Sequence, residues 1–395
     1  EPARSAEELT SIAGNLANGA VIDLGEATFA TTEFPMDFAR KTNLQEIALP
    51  RNIQTFASEA YSGAFYNCTN LKRVTLPEGL TAIGANCFRQ CSQLESIELP
   101  SSVRTLDIYA FYGCKSLTSV VIPEGVEAIP RFIFDSCTAL TDVTLPSTLK
   151  SIGTEAFEAT GLKEITIPES VTSVEAAVFK NCKSLERIQF PDALTAIPAN
   201  LCNACSALTT INMPSKLETV GNDAFYNCGK LQDVTFPETL KSLDERSFGG
   251  CSAFTRIIID IPAIANYAFW NCANVTSIDL GEKVTSIGRN TFIMADNLQT
   301  ITCRAKNVPS LGNSAFGSAG SKVEGAKILY VPAASYDAYE TAWTDVTSQG
   351  YALQDINDQQ LTDGIYYRAS READWVPTLP ATFTALYVRT VGDDA

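Results

Sequence analysis

The chain has 395 residues, 45% of them apolar, enough for a large buried core. No run of about 18 apolar residues occurs, so no membrane-spanning helix is expected, and a net charge of −16 without a basic cluster argues against a nucleic-acid partner. There is no histidine, which excludes Ser-His-Asp and Cys-His catalysis.

The sequence opens on Glu1-Pro2, which reads as a mature or trimmed start with no signal peptide in view. Ser5-Ala6-Glu7-Glu8 has the spacing of a capping box, and Leu9, Ile12 and Leu16 fall on one helical face. Residues 1–18 are therefore expected to form an amphipathic helix closing one end of the fold. Val21–Leu24 predicts a first strand, and Phe38 is the first aromatic of a type that then recurs.

From Leu44 onward one unit repeats. Its leucine slot is filled by Leu71, Leu94, Leu117, Leu140, Leu162, Leu185, Leu208, Leu231, Phe254, Val275 and Leu298. Most steps are 23 residues, with one of 22, one of 21 and a first step of 27. A fixed period in the twenties marks a solenoid, whose units cannot bury an apolar face alone and form a core by stacking. In the unit Asn67–Gln90, Val74 and Leu76 alternate as a short strand that Pro77 ends. A second apolar pair follows, Leu80 and Ile83. Then come a turn residue, Gly84, and a phenylalanine, Phe88, often preceded by alanine. This last segment reads as a single helical turn, which Asp107 and Asp244 are placed to cap in their own units. The four extra residues of the unit from Leu44 predict a bulging loop around Phe56–Gly63.

Nine of the twelve cysteines, Cys68, Cys91, Cys114, Cys137, Cys182, Cys205, Cys228, Cys251 and Cys272, stand three residues before the leucine slot. Equivalent side chains in a stack point the same way at roughly 4.8 Å spacing. A disulfide needs Cβ atoms about 3.8 Å apart and turned toward each other. The column is expected to be buried, reduced thiols. No metal or other cofactor is implied, because close C-x-x-C pairing is missing apart from Cys202–Cys205, and Cys202 occupies the phenylalanine slot.

Two units lapse: Glu158–Gly161 is one residue short and lacks the cysteine, and Ile257–Asp260 replaces the usual proline. After Phe316, Gly317–Gly325 reads as a loop, Lys327–Val331 as a strand and Ser335–Trp343 as a terminal helix. Solenoid is expected over 19–349. Residues 350–395, with strands predicted at Gly364–Arg368 and Phe383–Val388, form either a C-terminal β cap or the start of a second small β module. Asp355, Asp358 and Asp363 miss the EF-hand spacing and read as a solvated acidic loop.

The pattern L-x-x-I-x-L-P, L-x-x-I-G, A-F-x-x-C, seen in LTDVTLPSTLKSIGTEAF and LQDVTFPETLKSLDERSFGGC, resembles the BspA-like leucine-rich repeats of bacterial surface proteins. The resemblance runs from about Gly19 to Trp343, and the tail ILYVPAASYDAYETAW is similar to the usual ending of such arrays. It implies an α/β leucine-rich-repeat solenoid with a parallel β-sheet face. It further implies a secreted or surface-exposed protein, an outer-membrane lipoprotein being one form, that binds proteins or glycans in adhesion, host matrix proteins among them. It carries over no catalytic residues.

The candidate binding face comprises the positions two and four after the leucine: Arg73, Thr75, Glu98, Asp142, Thr144, Glu164, Thr166, Arg187, Gln189, Asn212, Asp233 and Arg256. A merely soluble β surface explains the same Thr-rich composition. Tyr66, Tyr112, Tyr226 and Trp270, each following the phenylalanine slot, are candidate exposed aromatics on the opposite side. A monomer is expected. The alternatives are a polysaccharide-active parallel β-helix, for which Arg256, Asp260 and Asp279 are the nearest approach to a charged cluster, and a purely structural surface-layer component.

Overall fold

The computed structural model describes residues 4–356, together with the backbone of 364–368 and 387–391. The chain divides into two compact units, Glu1–Leu231 and Gln232–Ala395. Each is a stack of coils in which the alternation of the sequence becomes short parallel strands.

In the first unit, the residues after the leucine slot form one ladder. Ala20–Asp23, Leu44–Ala48, Arg73–Thr75 and Ser96–Ile97 pair in that order. Ser119–Val121 pairs with Asp142–Thr144, and Glu164–Thr166 continues through Arg187–Gln189 to Thr210–Ile211. Register follows the repeat: Val74 lies opposite Ile97, Val120 opposite Val143, and Ile165 opposite Ile188. A second ladder, built from pairs such as Ala82–Ile83 with Thr105–Leu106, runs along the second apolar positions. Between the two ladders each proline opens a turn, as in the Leu80 N–H to Pro77 carbonyl bond of 3.0 Å. The proline thus ends one strand and starts the bend into the next.

The segment ending in Ala-Phe is not a helical turn. It is a run of tight turns with two left-handed residues per coil, Asn86 and Gln90 in one, Phe132 and Ser136 in another. An α-helical turn would spend its N–H groups within the coil. Here three are sent to the next coil instead: Asn86 to Ile108, Phe88 to Ala110 and Gln90 to Tyr112, at 3.0, 2.8 and 2.7 Å. Left-handed backbone costs a non-glycine residue about 1–2 kcal/mol, and these inter-coil bonds offset it. Asp107 still serves locally, accepting the Ile108 N–H at 2.7 Å.

The core is a column of rings. Phe65, Phe88, Phe111, Phe134 and Phe157 are fully buried and stack at 5.4–5.5 Å between centroids. Alongside runs the thiol column, which includes Cys68, Cys91, Cys114 and Cys137, and all twelve cysteines of the chain are free and buried. The Cys91, Cys114 and Cys137 thiols each donate to the phenylalanine carbonyl of the preceding coil at 3.1 Å. Where the short unit lacks its cysteine, the buried Thr160 hydroxyl donates to the Phe157 carbonyl at 2.9 Å. Cys202, fully buried in the phenylalanine slot, fills core.

The N-terminal helix spans Ala6–Gly14, and Leu16 falls beyond it. Its buried face is Leu9 and Ala13, and Ser5 makes no side-chain cap, so the capping box is not formed. Glu8 instead lies 3.8 Å from Arg4. The extra residues near Phe56 are an antiparallel hairpin rather than a loop, Ser58–Glu59 against Ser62–Gly63.

In the second unit, Arg256–Ile259, Ser277–Leu280, Thr300–Cys303, Lys327–Val331 and Tyr351–Asp355 form one five-stranded parallel sheet. Its last strand lies beyond Gly350, where the leucine-slot repeat has already stopped. The helix Tyr336–Ala342 docks through Tyr339, whose hydroxyl donates to the Ala305 carbonyl at 2.7 Å. Trp343, next after the helix, donates its indole N–H to the Pro309 carbonyl at 2.9 Å. Gly364–Arg368 pairs antiparallel with Tyr387–Val391, and the first part of the second predicted strand, 383–386, lies outside the described residues. Asp355 is buried, whereas Asp358 and Asp363 lie outside the described residues.

Candidate functional site

Side chains alternate on a strand, so burying Val74, Ile97, Val120, Ile165 and Ile188 turns their neighbours outward. In the first unit, Arg73, Thr75, Glu98, Asp142, Thr144, Glu164, Thr166, Arg187 and Gln189 are exposed. Asn212 is half-buried. Its amide accepts the Phe190 N–H at 2.7 Å and donates to the Phe190 carbonyl at 2.9 Å. That pairing substitutes for a strand residue and commits Asn212 to the scaffold.

Two open depressions gather these residues. One, of about 590 Å³, is lined by Arg73, Thr75 and Glu98 with Glu78, Ser96 and Ser101. It lies over the paired strands Arg73–Thr75 and Ser96–Ile97 and the turns that follow them. The other, of about 350 Å³, brings Asp142, Glu164 and Arg187 together with Lys163, Glu186 and Thr209. Its Arg187–Glu164 pair, 3.9 Å apart, is exposed. Such a pair stabilises by at most about 1 kcal/mol, leaving both groups available. Val121, 63% exposed, is an apolar residue on the same face.

In the second unit, Asp233 and Arg256 are exposed. The Asp233 carboxylate accepts the Thr255 and Arg256 N–H groups at 2.7 and 3.1 Å and the Thr255 hydroxyl at 2.6 Å, fixing the approach to the strand. Asp279 is held by a fork of two bonds from Arg304 at 2.9 and 2.8 Å. Asp260 accepts the Lys283 N–H and lies 3.6 Å from its ammonium group. Arg256, Asp260 and Asp279 therefore do not converge as a reactive cluster. Both carboxylates have separate structural partners.

On the turn side, Tyr66, Tyr112, Tyr226 and Trp270 are half-buried rather than freely exposed. Nearby, Asp135, Glu155 and Glu158 bring carboxylate oxygens within 4.8 Å of one another. Burial raises the Asp135 carboxyl, and burial plus the Glu158 carboxylate pushes Glu155 up to about 7. Lys180 neutralises Glu158 at 3.1 Å, and Asn181 donates to it at 3.1 Å. The cluster was missed in the sequence because its members come from two coils, at positions one after and two before the phenylalanine slot.

With this geometry in place, six copies of the BspA type Leucine rich repeat region match residues 32–158, 58–186, 105–232 and 195–322. The chain belongs to the BspA-type leucine-rich-repeat family. Among solved structures, a leucine-rich repeat protein from Bacteroides ovatus is 22% identical, covering 78% of this chain and 91% of that one, at a TM-score of 0.49. A leucine rich cell surface protein from Faecalibacterium prausnitzii is 28% identical, covering 72% and 88%, at 0.48. The pneumococcal vaccine antigen PcpA is 17% identical, covering 86% and 88%, at 0.47. No curated protein matches the chain. The repeating positions of this BspA-type array are the buried leucine, phenylalanine and cysteine slots. Membership thus accounts for the core, while the strand-face residues differ from coil to coil within the chain. No helix among the described residues is long and apolar enough to cross a membrane.

Proposed function

We propose that this BspA-type protein is a non-enzymatic binding protein of the bacterial cell surface that holds an extended protein or glycan partner along its strand face. One observation carries the reading: the exposed residues of successive coils line two open polar depressions on the strand face. Shallow, repeated contacts suit a long partner, whereas small molecules are held in enclosed apolar clefts. The binding residues are Arg73, Thr75, Glu98, Asp142, Thr144, Glu164, Thr166, Arg187 and Gln189 of the first unit, and the second unit displays Arg256 on a strand face of its own. Host matrix proteins are the partner class that the family resemblance favours. A secreted monomer, anchored as a lipoprotein or otherwise held at the surface, fits this role. Residues 1–18 act as an N-terminal cap and the solenoid follows from residue 19. Tyr351–Asp355 belongs with its ladder, so the C-terminal cap or second module begins after it.

Pull-down against matrix proteins and glycans tests the reading, comparing wild type with a variant carrying Arg73, Glu98, Asp142, Glu164 and Arg187 all changed to Ala. Loss of the partner in the variant is expected. Retention of full binding moves the site off the strands, and turnover of any polysaccharide by purified protein overturns the non-enzymatic reading.

A further inference from the structure

We propose that the turn side of the coils around Arg89 binds a glycan chain carrying uronic acids, with Arg40 and Arg89 taking the sugar carboxylates. The surface is separate from the strand face and does not depend on it.

Charge balance is the first support. The Arg89 guanidinium lies over the rings of Tyr109, Tyr112 and Tyr66, at 4.8, 5.2 and 5.9 Å. Arg40, in an earlier coil, lies over the same Tyr66 ring at 5.5 Å. The chain has 45 carboxylate side chains against 29 cationic ones, and Arg73, Arg187, Arg304 and Lys180 each have an acidic partner. Among the described residues Arg40 and Arg89 have none, as is also true of Arg51, Arg104 and Arg289, but only Arg40 and Arg89 share one ring, that of Tyr66. Arg89 donates from Nη1 to the Asn86 side-chain oxygen at 3.1 Å, while its Nε is buried without a hydrogen-bond partner. Tyrosine faces offset only part of the cost of removing a guanidinium from water. A carboxylate is the planar, two-pronged anion that matches the remaining N–H groups.

A second, independent feature identifies the rest of the ligand. Tyr61 stands at the tip of the hairpin and is 83% exposed. The hairpin is fixed: fully buried Asn86 donates to the Glu59 and Ala60 carbonyls at 3.3 and 3.4 Å. A Cβ on Gly63 would stand 2.7 Å from the backbone of 85–87, so only glycine allows that approach. Asn86 therefore holds Arg89 with its oxygen and the Tyr61 hairpin with its nitrogen. The open Tyr61 ring, tied through Asn86 to the same site, offers a stacking face for a pyranose, and the Nη groups of Arg89 and the exposed Arg40 offer donors for its carboxylate. Neighbouring tyrosine hydroxyls add donors and acceptors for sugar hydroxyls. An acidic peptide would use the arginines but has no need of the open ring. The negative charge of the whole chain repels a polyanion only over distances that salt screens beyond about 8 Å, so contact chemistry decides.

The test is calorimetric titration at physiological salt with a hyaluronan oligosaccharide and with the same oligosaccharide after reduction of its carboxyl groups. Wild type is expected to bind the acidic form at least about tenfold more tightly. Arg89→Gln is expected to remove that preference, and Arg40→Gln, at an exposed residue, provides the same readout should Arg89→Gln fail to fold. Tyr61→Ala is expected to weaken both forms several-fold with an unchanged unfolding midpoint. No binding by wild type, equal binding of the acidic and reduced forms, or an acidic peptide displacing the glycan from a Tyr61-independent site would each overturn the proposal.

Discussion

The Cys91 thiol donates to the Phe65 carbonyl one coil back, at 3.1 Å, tying the two buried columns of the solenoid together. Cysteine suits this slot because it is small, apolar enough to bury and still a weak donor. Serine has the donor but a stronger cost of burial. Thr160, at the one short coil, shows the hydroxyl alternative, bonding the Phe157 carbonyl of its own coil.

Burial also sets how the thiols titrate, and this gives the first prediction. Cys68 and Cys272 are pushed up to about 12 by desolvation, against about 8.5 in an unfolded chain. Because the folded value is the higher, the stabilisation is complete below about pH 8.5 and is lost as pH rises toward 12. Each such thiol then contributes a loss of up to about 1.4 kcal/mol per pH unit. Urea denaturation at pH 7.5 and pH 10 should show a large drop in midpoint, and a thiol reagent should find few groups in native protein and about twelve after unfolding. Disulfides between successive slots, detected by mass spectrometry, would refute the arrangement.

The second prediction separates core from face. Phe157 is fully buried between the rings of Phe134 and Phe179, at 5.5 and 5.7 Å. Phe157→Ala should cost about 3–5 kcal/mol, and Phe225→Ala, equally buried, a similar amount. Thr144→Ala, on the exposed face, should stay within about 0.5 kcal/mol of wild type. Equal losses in chemical denaturation would mean that the faces are wrongly assigned.

The contrast between those residues is also what the sequence made legible. Leucine, phenylalanine and cysteine recur because a buried slot tolerates few shapes, so the ladders and core could be read from period alone. The turn run could not. Its left-handed positions hold Asn86, Phe132, Glu155, Ala177 and Arg246, a mixture without a common side-chain preference. The conformation is imposed by hydrogen bonds from the next coil, which are tertiary and leave no local mark beyond a modest recurrence of asparagine. For the same reason Asn212 read as a face residue: its period matches the strand, and only the structure shows its amide turned back to Phe190.

Asn212 therefore supplies the third prediction. Asn212→Ala leaves the Phe190 N–H and carbonyl unpaired and should cost about 1–3 kcal/mol. Neighbouring Gln189→Ala, fully on the exposed face, should cost no more than about 0.5 kcal/mol. Asn212→Asp keeps the acceptor for the Phe190 N–H but sets a carboxylate oxygen against the Phe190 carbonyl, so it too should cost more than Gln189→Ala. Thermal unfolding of the three variants measures the order, and a neutral Asn212→Ala would return this residue to the binding face.

A fourth prediction concerns the carboxylates beside Lys180. Glu155 is raised to about 7, first by burial and then by Glu158. A folded value above the unfolded one means that this group's contribution to stability is complete below about pH 4.3 and disappears as pH rises through about 7. Glu155→Gln should accordingly stabilise the protein at pH 8 and have a smaller effect at pH 5. Carbon-detected NMR titration of the Glu155 carboxyl should find its midpoint well above the ordinary glutamate range, and an ordinary midpoint would show that Lys180 and solvent dominate.

The last prediction concerns how a partner reaches the strand face. In the depression around Arg187, the carboxylates of Asp142, Glu164 and Glu186 outnumber the cations of Lys163 and Arg187, and the chain as a whole carries −16. A partner with a basic binding segment should thus be drawn in before contact. Its association rate should fall as salt is raised, while dissociation changes little. Reversing two exposed charges, Glu164→Lys with Glu186→Lys, removes local attraction without touching the buried Ile165 or Ile188. Association at low salt should slow by about tenfold or more, while stability should fall by no more than about 1–2 kcal/mol, from loss of the exposed Arg187–Glu164 pair and the like-charge contacts that replace it. Surface plasmon resonance across a salt series, using the matrix protein captured in the pull-down, separates the two rate constants. An association rate insensitive to both salt and charge reversal would place docking on Val121 and the apolar part of the face instead.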